Sequence, residues 1–370
     1  MHIVIGGAAG FDDVPELARL ADRHDVAFAP DDAALARHLP AAEVFVSWTF
    51  RGSGLARHWP LARRLRWVHW CGAGVRPALF PELVASDVVL TNARGVFDRA
   101  MAEYVLGTML AFVLRLPEAL EEQRARRWTY RHSERLEGTT AVVFGVGGIG
   151  RRVGELLAAA GVTVHGVGRT ARDTDTVFGR VHGRDDRLAL LARADWVVAV
   201  MPDTPDTEGY FGAEEFAAMR PTARFVNVGR GSTVVERDLV GALADGRIAG
   251  AALDVFAEEP LPADSALWSL PGVIVTPHVS GDYRGFEDDL CRQFSTSSRG
   301  TRPVPRWTTS STSRRATCYR TPDKLRWCPS APAPTPARPP ATRSSPPHAG
   351  CSPNAGTAAP RCATSPPTSA

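Results

Sequence analysis

Three side chains with catalytic chemistry, Arg230, Glu259 and His278, each follow a short apolar run of the chain. A guanidinium is a permanent cation that holds an acid group through paired hydrogen bonds. An imidazole titrates near neutral pH and can deliver a proton, and a neighbouring carboxylate favours its charged form. Together the three groups predict a site that binds an acid substrate and transfers a proton to it.

Each of these residues, taken alone, also has a structural interpretation. Arg230 can cap a helix, Glu259 can belong to an acidic AEEP loop, and His278 is one of ten histidines. Most of the others, such as His24 and His132, are expected at the surface or in packing. The functional interpretation therefore depends on where the chain places all three.

The apolar runs before these residues predict buried parallel strands. They alternate with helical stretches such as 214–219 and 236–244, and they occupy residues 194–202, 223–231, 249–256 and 272–278. Ligands of parallel sheets bind beyond the carboxyl ends of the strands. The three side chains lie at or just past such ends, so the sheet would gather them on one edge.

A glycine-rich turn precedes these strands. The strand-like run 140–144 is followed by Gly145, Gly147 and Gly150 in GxGxxG spacing, then by a helical segment and a second strand at 162–167. The first glycine permits a tight turn, the second lets the backbone approach a diphosphate, and the third lets helix pack on strand. The alternative is a glycine-rich turn without a ligand, but the strand–turn–helix context favours a dinucleotide site at the helix N-terminus. With the acid site, this predicts hydride transfer to or from a nicotinamide.

The end of the second strand bears on the choice of dinucleotide. A carboxylate there would hold a ribose 2′-hydroxyl, whereas an arginine would accommodate a 2′-phosphate. The chain has Arg169, Thr170 and Arg172 and no carboxylate between Gly168 and Arg172. NADP(H) is therefore the preferred cofactor, with NAD(H) possible, unless both arginines are solvated surface charges.

The chain resembles the D-isomer-specific 2-hydroxyacid dehydrogenase family over most of residues 1–294, and most closely its glyoxylate/hydroxypyruvate reductase-like branch. The resemblance implies an α/β protein with two Rossmann-like or flavodoxin-like parallel-sheet domains and a cleft between them. The motifs that carry it, in the family's order, are LRWVHWCGAGV, MAEYVLG, VVFGVGGIGR, MPDTPDTEGYF, NVGRGSTVVERDLVGAL, GAALDVFAEEPLP and TPHVSG.

The resemblance also assigns roles. Arg230 would bind the substrate carboxylate and polarise its carbonyl, His278 would be the acid/base, and Glu259 its partner. The backbone N–H groups of Ala73, Gly74 and Val75 would bind the carboxylate from the other side of the cleft, unless these glycines only form a turn. Further cofactor contacts are implied at Gly148, Ile149, Pro202 and Asp254.

The domain boundaries follow from the same comparison of segments. Residues 1–97 would form the substrate domain and residues 98–282 the Rossmann domain, with a long helical hinge near its start. Residues 283–294 would begin a helix that returns to the substrate domain. The family is usually dimeric, and the hinge helices are the expected contact of a homodimer.

Three functions remain open at this point. The first is an active enzyme that interconverts a D-2-hydroxy acid and a 2-keto acid. The second is an inactive or regulatory dinucleotide-binding protein, and the third a related hydride-transfer enzyme acting on formate or phosphite. Membrane and metal partners are not expected, because no zinc-type spacing, signal peptide or long apolar run occurs. A nucleic-acid partner is not expected either, because the net charge of +3 comes from residues 295–370. A cytoplasmic location is the default expectation.

Residues 295–370 differ sharply in composition from the rest. This tail holds 15 Pro, 12 Ser, 12 Thr, 11 Ala and 10 Arg, and it lacks Ile, Met, Phe and Glu. It carries 11 of the 43 basic residues and one of the 40 acidic ones, so the remaining chain has a balance of −7. Such a composition predicts disorder, because it cannot bury enough apolar surface to offset chain entropy.

We interpret this tail as a suspected frameshift product. Read one base out of frame, residues after Phe294 can encode a helix followed by GAPLDNVVD and GY, which resembles the family's terminal pattern. Asp323 followed by Lys324 then allows a stop codon where that pattern would end. On this interpretation only Cys71 and Cys291, of six cysteines, belong to the original protein, and the altered chain is expected to be impaired.

Overall fold

The computed structural model describes residues 1–49 and 54–300. Within these ranges the chain forms two sheets of mostly parallel strands with helices packed around them, which is the α/β fold that the sequence predicted. The predicted disorder from residue 301 onward lies outside the described residues. Within the same ranges no single helix is both long and apolar enough to cross a membrane; only one bent helix pair, Asp98–Val113 with Leu116–Arg124, passes that test together.

The first sheet has five parallel strands in the order β2-β1-β3-β4-β5. Its strands are β1 (His2–Gly6), β2 (Asp25–Ala29), β3 (Val44–Ser47), β4 (Trp67–Trp70) and β5 (Val89–Asn92). Strands β1, β3 and β4 are almost entirely buried, which explains their continuous apolar sequences. The glycine loop that begins at Cys71 leaves the sheet at the carboxyl end of β4.

The second sheet has eight strands in the order β13-β12-β11-β10-β6-β7-β9-β8. Only β8 is antiparallel to its neighbour. The strands are β6 (Thr140–Phe144), β7 (Thr163–Val167), β8 (Arg172–Asp175), β9 (Gly179–His182), β10 (Trp196–Ala199), β11 (Arg224–Asn227), β12 (Gly250–Leu253) and β13 (Val273–Val275). The strand order reverses between β6 and β10, and such a switch point opens a crevice at the carboxyl edge of the sheet.

In the described residues, ten α-helices cover the sheets or connect them. They are α1 (Asp32–His38), α2 (Leu55–His58), α3 (Pro81–Ala85), α4 (Asp98–Val113), α5 (Leu116–Arg124), α6 (Gly148–Ala159), α7 (Arg187–Leu191), α8 (Ala213–Ala218), α9 (Glu236–Ala244) and α10 (Phe286–Gly300). Helices α4 and α5 meet at 62°. The break is at Arg115, whose φ of 55° is left-handed, and Pro117 follows it in the first turn of α5.

Helix α10 returns to the first sheet. Its Phe294 is 1 % exposed and stacks on Trp67 with ring centroids 5.1 Å apart. The helix continues through Gly300, past the boundary at Ser295 where disorder was predicted. Extending a helix that is already nucleated costs little, so a polar segment can continue one whose apolar face is already packed.

Local sequence patterns fail in two places. The run PELARLADRHD at residues 15–25 predicts a helix, but the structure has only a 3-10 turn, Pro15–Leu20, because the chain must enter β2 at Asp25. The β8–β9 hairpin was not predicted at all. Its strands are four residues long and mostly polar, so they lack the apolar run that marks the other strands.

Candidate active site

His278 and Glu259 form a hydrogen-bonded pair. Nδ1 of His278 lies 2.7 Å from Oε2 of Glu259, so a proton on Nδ1 would be donated to the carboxylate and Nε2 would be left for other chemistry. The other carboxylate oxygen accepts from the Phe256 N–H at 3.1 Å. Burial alone would raise the pKa of Glu259, but these two donors and the charge of Arg230 outweigh it and lower that pKa. Glu259 is therefore ionised at neutral pH.

Arg230 lies across the cleft from the glycine loop of the first domain. Its guanidinium packs directly on Gly74, where a β-carbon would come within 3.0 Å of Cζ and closer still to Nη2. Burial lowers the pKa of Arg230, while the charges of Glu259 and Asp203 oppose that shift. The structure thus brings together Arg230, Glu259 and the Gly74 loop, which come from both domains.

Glycines on both sides of Arg230 are required by the backbone around it. A β-carbon at Gly231 would overlap with the Phe256 carbonyl, and one at Gly229 would lie 3.0 Å from the Met201 carbonyl oxygen. Asn227 fixes the same turn, because its Oδ1 accepts from the Gly229 N–H and its Nδ2 donates to the Arg230 carbonyl. Sequence reasoning missed Asn227, although the spacing in NVGRG was a signal that could have found it.

Asp254 lies beneath the loop that carries His278. The carboxylate is fully buried and accepts hydrogen bonds from the Thr276 hydroxyl at 2.6 Å and from two N–H groups of the loop. Those donors are Val279 at 2.8 Å and Ser280 at 2.9 Å. His278 itself has a left-handed φ of 56°, a conformation that persists only where the surroundings impose it. The predicted cofactor contact of Asp254 stays a prediction, whereas its support of this loop was not foreseen.

A second link crosses the cleft beside Arg230. Arg76, directly after the glycine loop, forms an ion pair with Asp203. Asp203 also accepts a hydrogen bond from Ser232 at 3.0 Å. The loop itself is held by Asn92, whose Nδ2 donates to the Ala73 carbonyl at 2.7 Å. These contacts fix the loop 73–75 relative to the segment that bears Arg230.

The glycine turn fits a dinucleotide. Gly145 follows β6 with a φ of +105°, and a β-carbon at Gly150 would overlap with the Gly145 carbonyl, so both positions need glycine. A β-carbon at Gly147 would meet nothing within 4 Å, which leaves open space before the first turn of α6. Gly148 and Ile149 begin that helix, where free N–H groups favour an anion. Pro202 follows β10, on the other side of the switch point.

Arg169 and Thr170 lie exposed at the carboxyl end of β7. In the described part of the chain Arg169 has no ion-pair partner, whereas Arg172 donates to Asp175 at 3.2 Å. Asp175 also pairs with Arg151. The structure therefore distinguishes the two arginines, and only Arg169 keeps its guanidinium available to a ligand.

The protein has a doubly wound dinucleotide-binding domain and a smaller α/β domain, with a cleft between them. This is the architecture of a nicotinamide-dependent oxidoreductase. A family model described as "D-isomer specific 2-hydroxyacid dehydrogenase, NAD binding domain" matches residues 106–280. Glyoxylate/hydroxypyruvate reductase A of Photorhabdus laumondii is 35 % identical over 222 residues, which are 58 % of this chain and 71 % of that protein.

Solved structures agree with this match. A D-isomer specific 2-hydroxyacid dehydrogenase family protein of Aeromonas salmonicida is 30 % identical with a TM-score of 0.70, covering 80 % of this chain and 94 % of that one. An NADPH-dependent glyoxylate/hydroxypyruvate reductase of Sinorhizobium meliloti, solved with NADP and sulfate, is 28 % identical with a TM-score of 0.68 and coverages of 81 % and 96 %.

The chain belongs to the D-isomer-specific 2-hydroxyacid dehydrogenase family, in its glyoxylate/hydroxypyruvate reductase branch. The predictions of family, fold class, enzyme class and NAD(P) cofactor are therefore confirmed.

Proposed function

We propose that the protein reduces small 2-keto acids of the glyoxylate and hydroxypyruvate type with NADPH, and oxidises D-2-hydroxy acids in the reverse direction. The observation that carries the proposal is the meeting of Arg230, the Glu259–His278 pair and the Gly74 loop at the carboxyl edge of the dinucleotide-binding sheet. The names of the relatives support the same substrate class.

Each group has a defined task in this mechanism. Arg230 binds the substrate carboxylate through its planar fork, and the N–H groups of residues 73–75 bind it from the facing loop. When bound, the nicotinamide supplies or accepts the hydride. His278 gives a proton from Nε2 to the carbonyl oxygen, while Glu259 holds Nδ1 and so fixes the ring orientation. In the oxidative direction His278 takes the proton back.

The preference for NADPH is supported by the end of β7. Arg169 is exposed and free of ion pairs within the described residues, and Thr170 beside it offers a hydroxyl. A 2′-phosphate would gain a charge-assisted hydrogen bond there. No carboxylate follows β7 before Arg172 to hold a ribose 2′-hydroxyl instead.

An assay of purified protein tests the function. NADPH is mixed with glyoxylate, hydroxypyruvate or pyruvate, and loss of its absorbance is followed. His278→Ala should lower kcat by about 10²- to 10⁴-fold with unchanged nucleotide binding, while His38→Ala, in the last turn of α1, should be neutral. Nucleotide protection against thermal unfolding without any turnover would favour the inactive or regulatory alternative. Turnover with formate or phosphite alone would move the substrate assignment to that class.

We also propose that the protein is a homodimer through α4, α5 and the segment after them. Leu114, Leu116 and Leu120 are 50 %, 45 % and 52 % exposed, and Trp128 and Tyr130 follow with 101 % and 82 % exposure. Such a row of large apolar side chains favours a partner. Light scattering on the purified protein and on a Leu114→Glu, Leu120→Glu variant tests the assignment.

The frameshift interpretation of residues 295–370 also remains a proposal, and most of these residues lie outside the described part of the chain. Resequencing the gene around the Phe294 codon decides it. An intact single frame through Ala370 contradicts the interpretation.

A further inference from the structure

An acidic side chain lies against the helix end at which the dinucleotide diphosphate would bind. Asp98, the first residue of α4, places its carboxylate where a β-carbon of Gly148, the first residue of α6, would lie. A β-carbon at Gly148 would lie 3.1 Å from Cγ of Asp98, 3.2 Å from Oδ1 and closer to Oδ2. Gly148 therefore leaves room for the Asp98 carboxylate, which any larger side chain at this position would displace.

Burial and the neighbouring positive groups act in opposite directions on the charge of Asp98. Burial raises the pKa of this carboxyl, although Arg94, Arg152 and the Gly95 N–H all oppose the shift. Arg94 lies in the turn before α4. Arg152 lies on α6, where its Nη1 also donates to Oε2 of Glu155 at 2.6 Å. The positive end of α6 also attracts an anion. Asp98 therefore already places a carboxylate at the N-terminus of α6, which would otherwise attract a phosphate.

The diphosphate of a dinucleotide would bring negative charge to the same helix end. Near a protein surface the effective dielectric constant is about 20. At that value, repulsion between two anions several ångströms apart lowers the binding affinity by about tenfold or more. We propose that the Asp98 carboxylate weakens dinucleotide binding, and that the dinucleotide is held more tightly when this carboxyl carries a proton. Weaker retention suits an enzyme that must release its spent cofactor in every cycle.

The sign of the pH dependence follows from this repulsion. A bound diphosphate raises the pKa of Asp98 above its value in the free protein, so binding takes up a proton between those two values. Affinity is greatest below the pKa of the free protein. It falls as the pH rises, and it reaches a lower plateau above the pKa of the complex.

The experiment measures cofactor binding directly on the full chain. NADPH and NADH are titrated by fluorescence between about pH 5 and pH 8.5 with the wild type and with Asp98→Asn, which keeps the shape and removes the charge. NADH is included because the 2′-phosphate of NADPH titrates near pH 6 itself. We expect Asp98→Asn to bind both nucleotides about tenfold more tightly at pH 8 and to lose most of the pH dependence.

A matched control removes one negative charge from the same helix at another position. Glu103 is exposed on α4 and pairs with Arg99 at 2.5 Å, so Glu103→Gln should leave affinity unchanged. Calorimetry in buffers of different ionisation enthalpy should detect proton uptake on binding by the wild type and not by Asp98→Asn. Equal or weaker binding by Asp98→Asn at pH 8, in a variant that unfolds like the wild type, overturns the proposal.

This inference rests on the proposed cofactor site and not on the proposed substrate. Binding is measured without turnover, so an inactive protein that still binds NADPH leaves the test of Asp98 intact. Conversely, normal keto-acid reduction with no effect of Asp98→Asn contradicts this inference alone.

Discussion

Substitution of Gly74 by alanine tests the geometry of the cleft most directly. The added methyl group would lie 3.0 Å from Cζ and 3.4 Å from Nε of Arg230, and closer to Nη2. Ordinary contact between such atoms is about 3.5–4.0 Å, so the guanidinium or the loop must move by about 1 Å. Arg230 cannot retreat freely, since its Nη1 donates to the Gly229 carbonyl at 2.7 Å and backbone packs against the glycines beside it.

A misplacement of about 1 Å in a substrate-positioning group costs about 10²-fold in rate, which corresponds to about 2.7 kcal/mol of transition-state stabilisation. We therefore expect Gly74→Ala to lower kcat/KM for glyoxylate or hydroxypyruvate by about 10²-fold. The dissociation constant for NADPH should stay unchanged, because the glycine turn after β6 is not touched. Steady-state kinetics and a fluorescence titration of NADPH measure the two effects separately.

The matched control is the same substitution at Gly241, within α9. A β-carbon there meets nothing within 4 Å, so Gly241→Ala should keep full activity and stabilise the helix by about 0.5–1 kcal/mol. If Gly74→Ala folds normally and retains wild-type kcat/KM, the loop does not define the position of Arg230 in the working enzyme. The assignment of residues 73–75 to the substrate would then be wrong.

Two further predictions concern the dinucleotide-binding domain. Arg169→Gln should lower kcat/KM for NADPH about tenfold or more with little effect on NADH, because a charge-assisted hydrogen bond contributes about 1.5–3 kcal/mol. Arg172→Gln should lower kcat/KM for NADPH less. Equal losses in the two variants would contradict the assignment of the 2′-phosphate to Arg169. Burial alone would raise the pKa of Asp175, but N–H donors and Arg151 outweigh it and hold that pKa at about 2. Asp175→Asn should therefore cost about 2 kcal/mol of unfolding free energy above about pH 4, an effect that disappears as the pH falls through about 2, as urea denaturation would show.

The glycine spacing and the apolar runs were sufficient to predict the cofactor domain. Strands β6, β10, β11, β12 and β13 lie within the predicted runs, and α9 spans the predicted helix at 236–244. These signals are local, since a buried parallel strand must be continuously apolar and a tight turn before a helix must contain glycine. The same local rules failed for the β8–β9 hairpin, because its short strands carry Asp175 and arginine partners in place of a continuous apolar run.

The sequence by itself determined the family, the fold class and the identity of the three candidate catalytic residues. Only the tertiary structure decided which distant groups surround the site and the cofactor turn: Asp254 beneath the His278 loop, the Arg76–Asp203 link across 127 positions of the chain, and Asp98 against Gly148. Strand periodicity and glycine spacing are properties of neighbouring residues. A hydrogen bond between distant segments depends instead on how the strands are ordered in the sheet and how the two domains meet, and no local pattern encodes either.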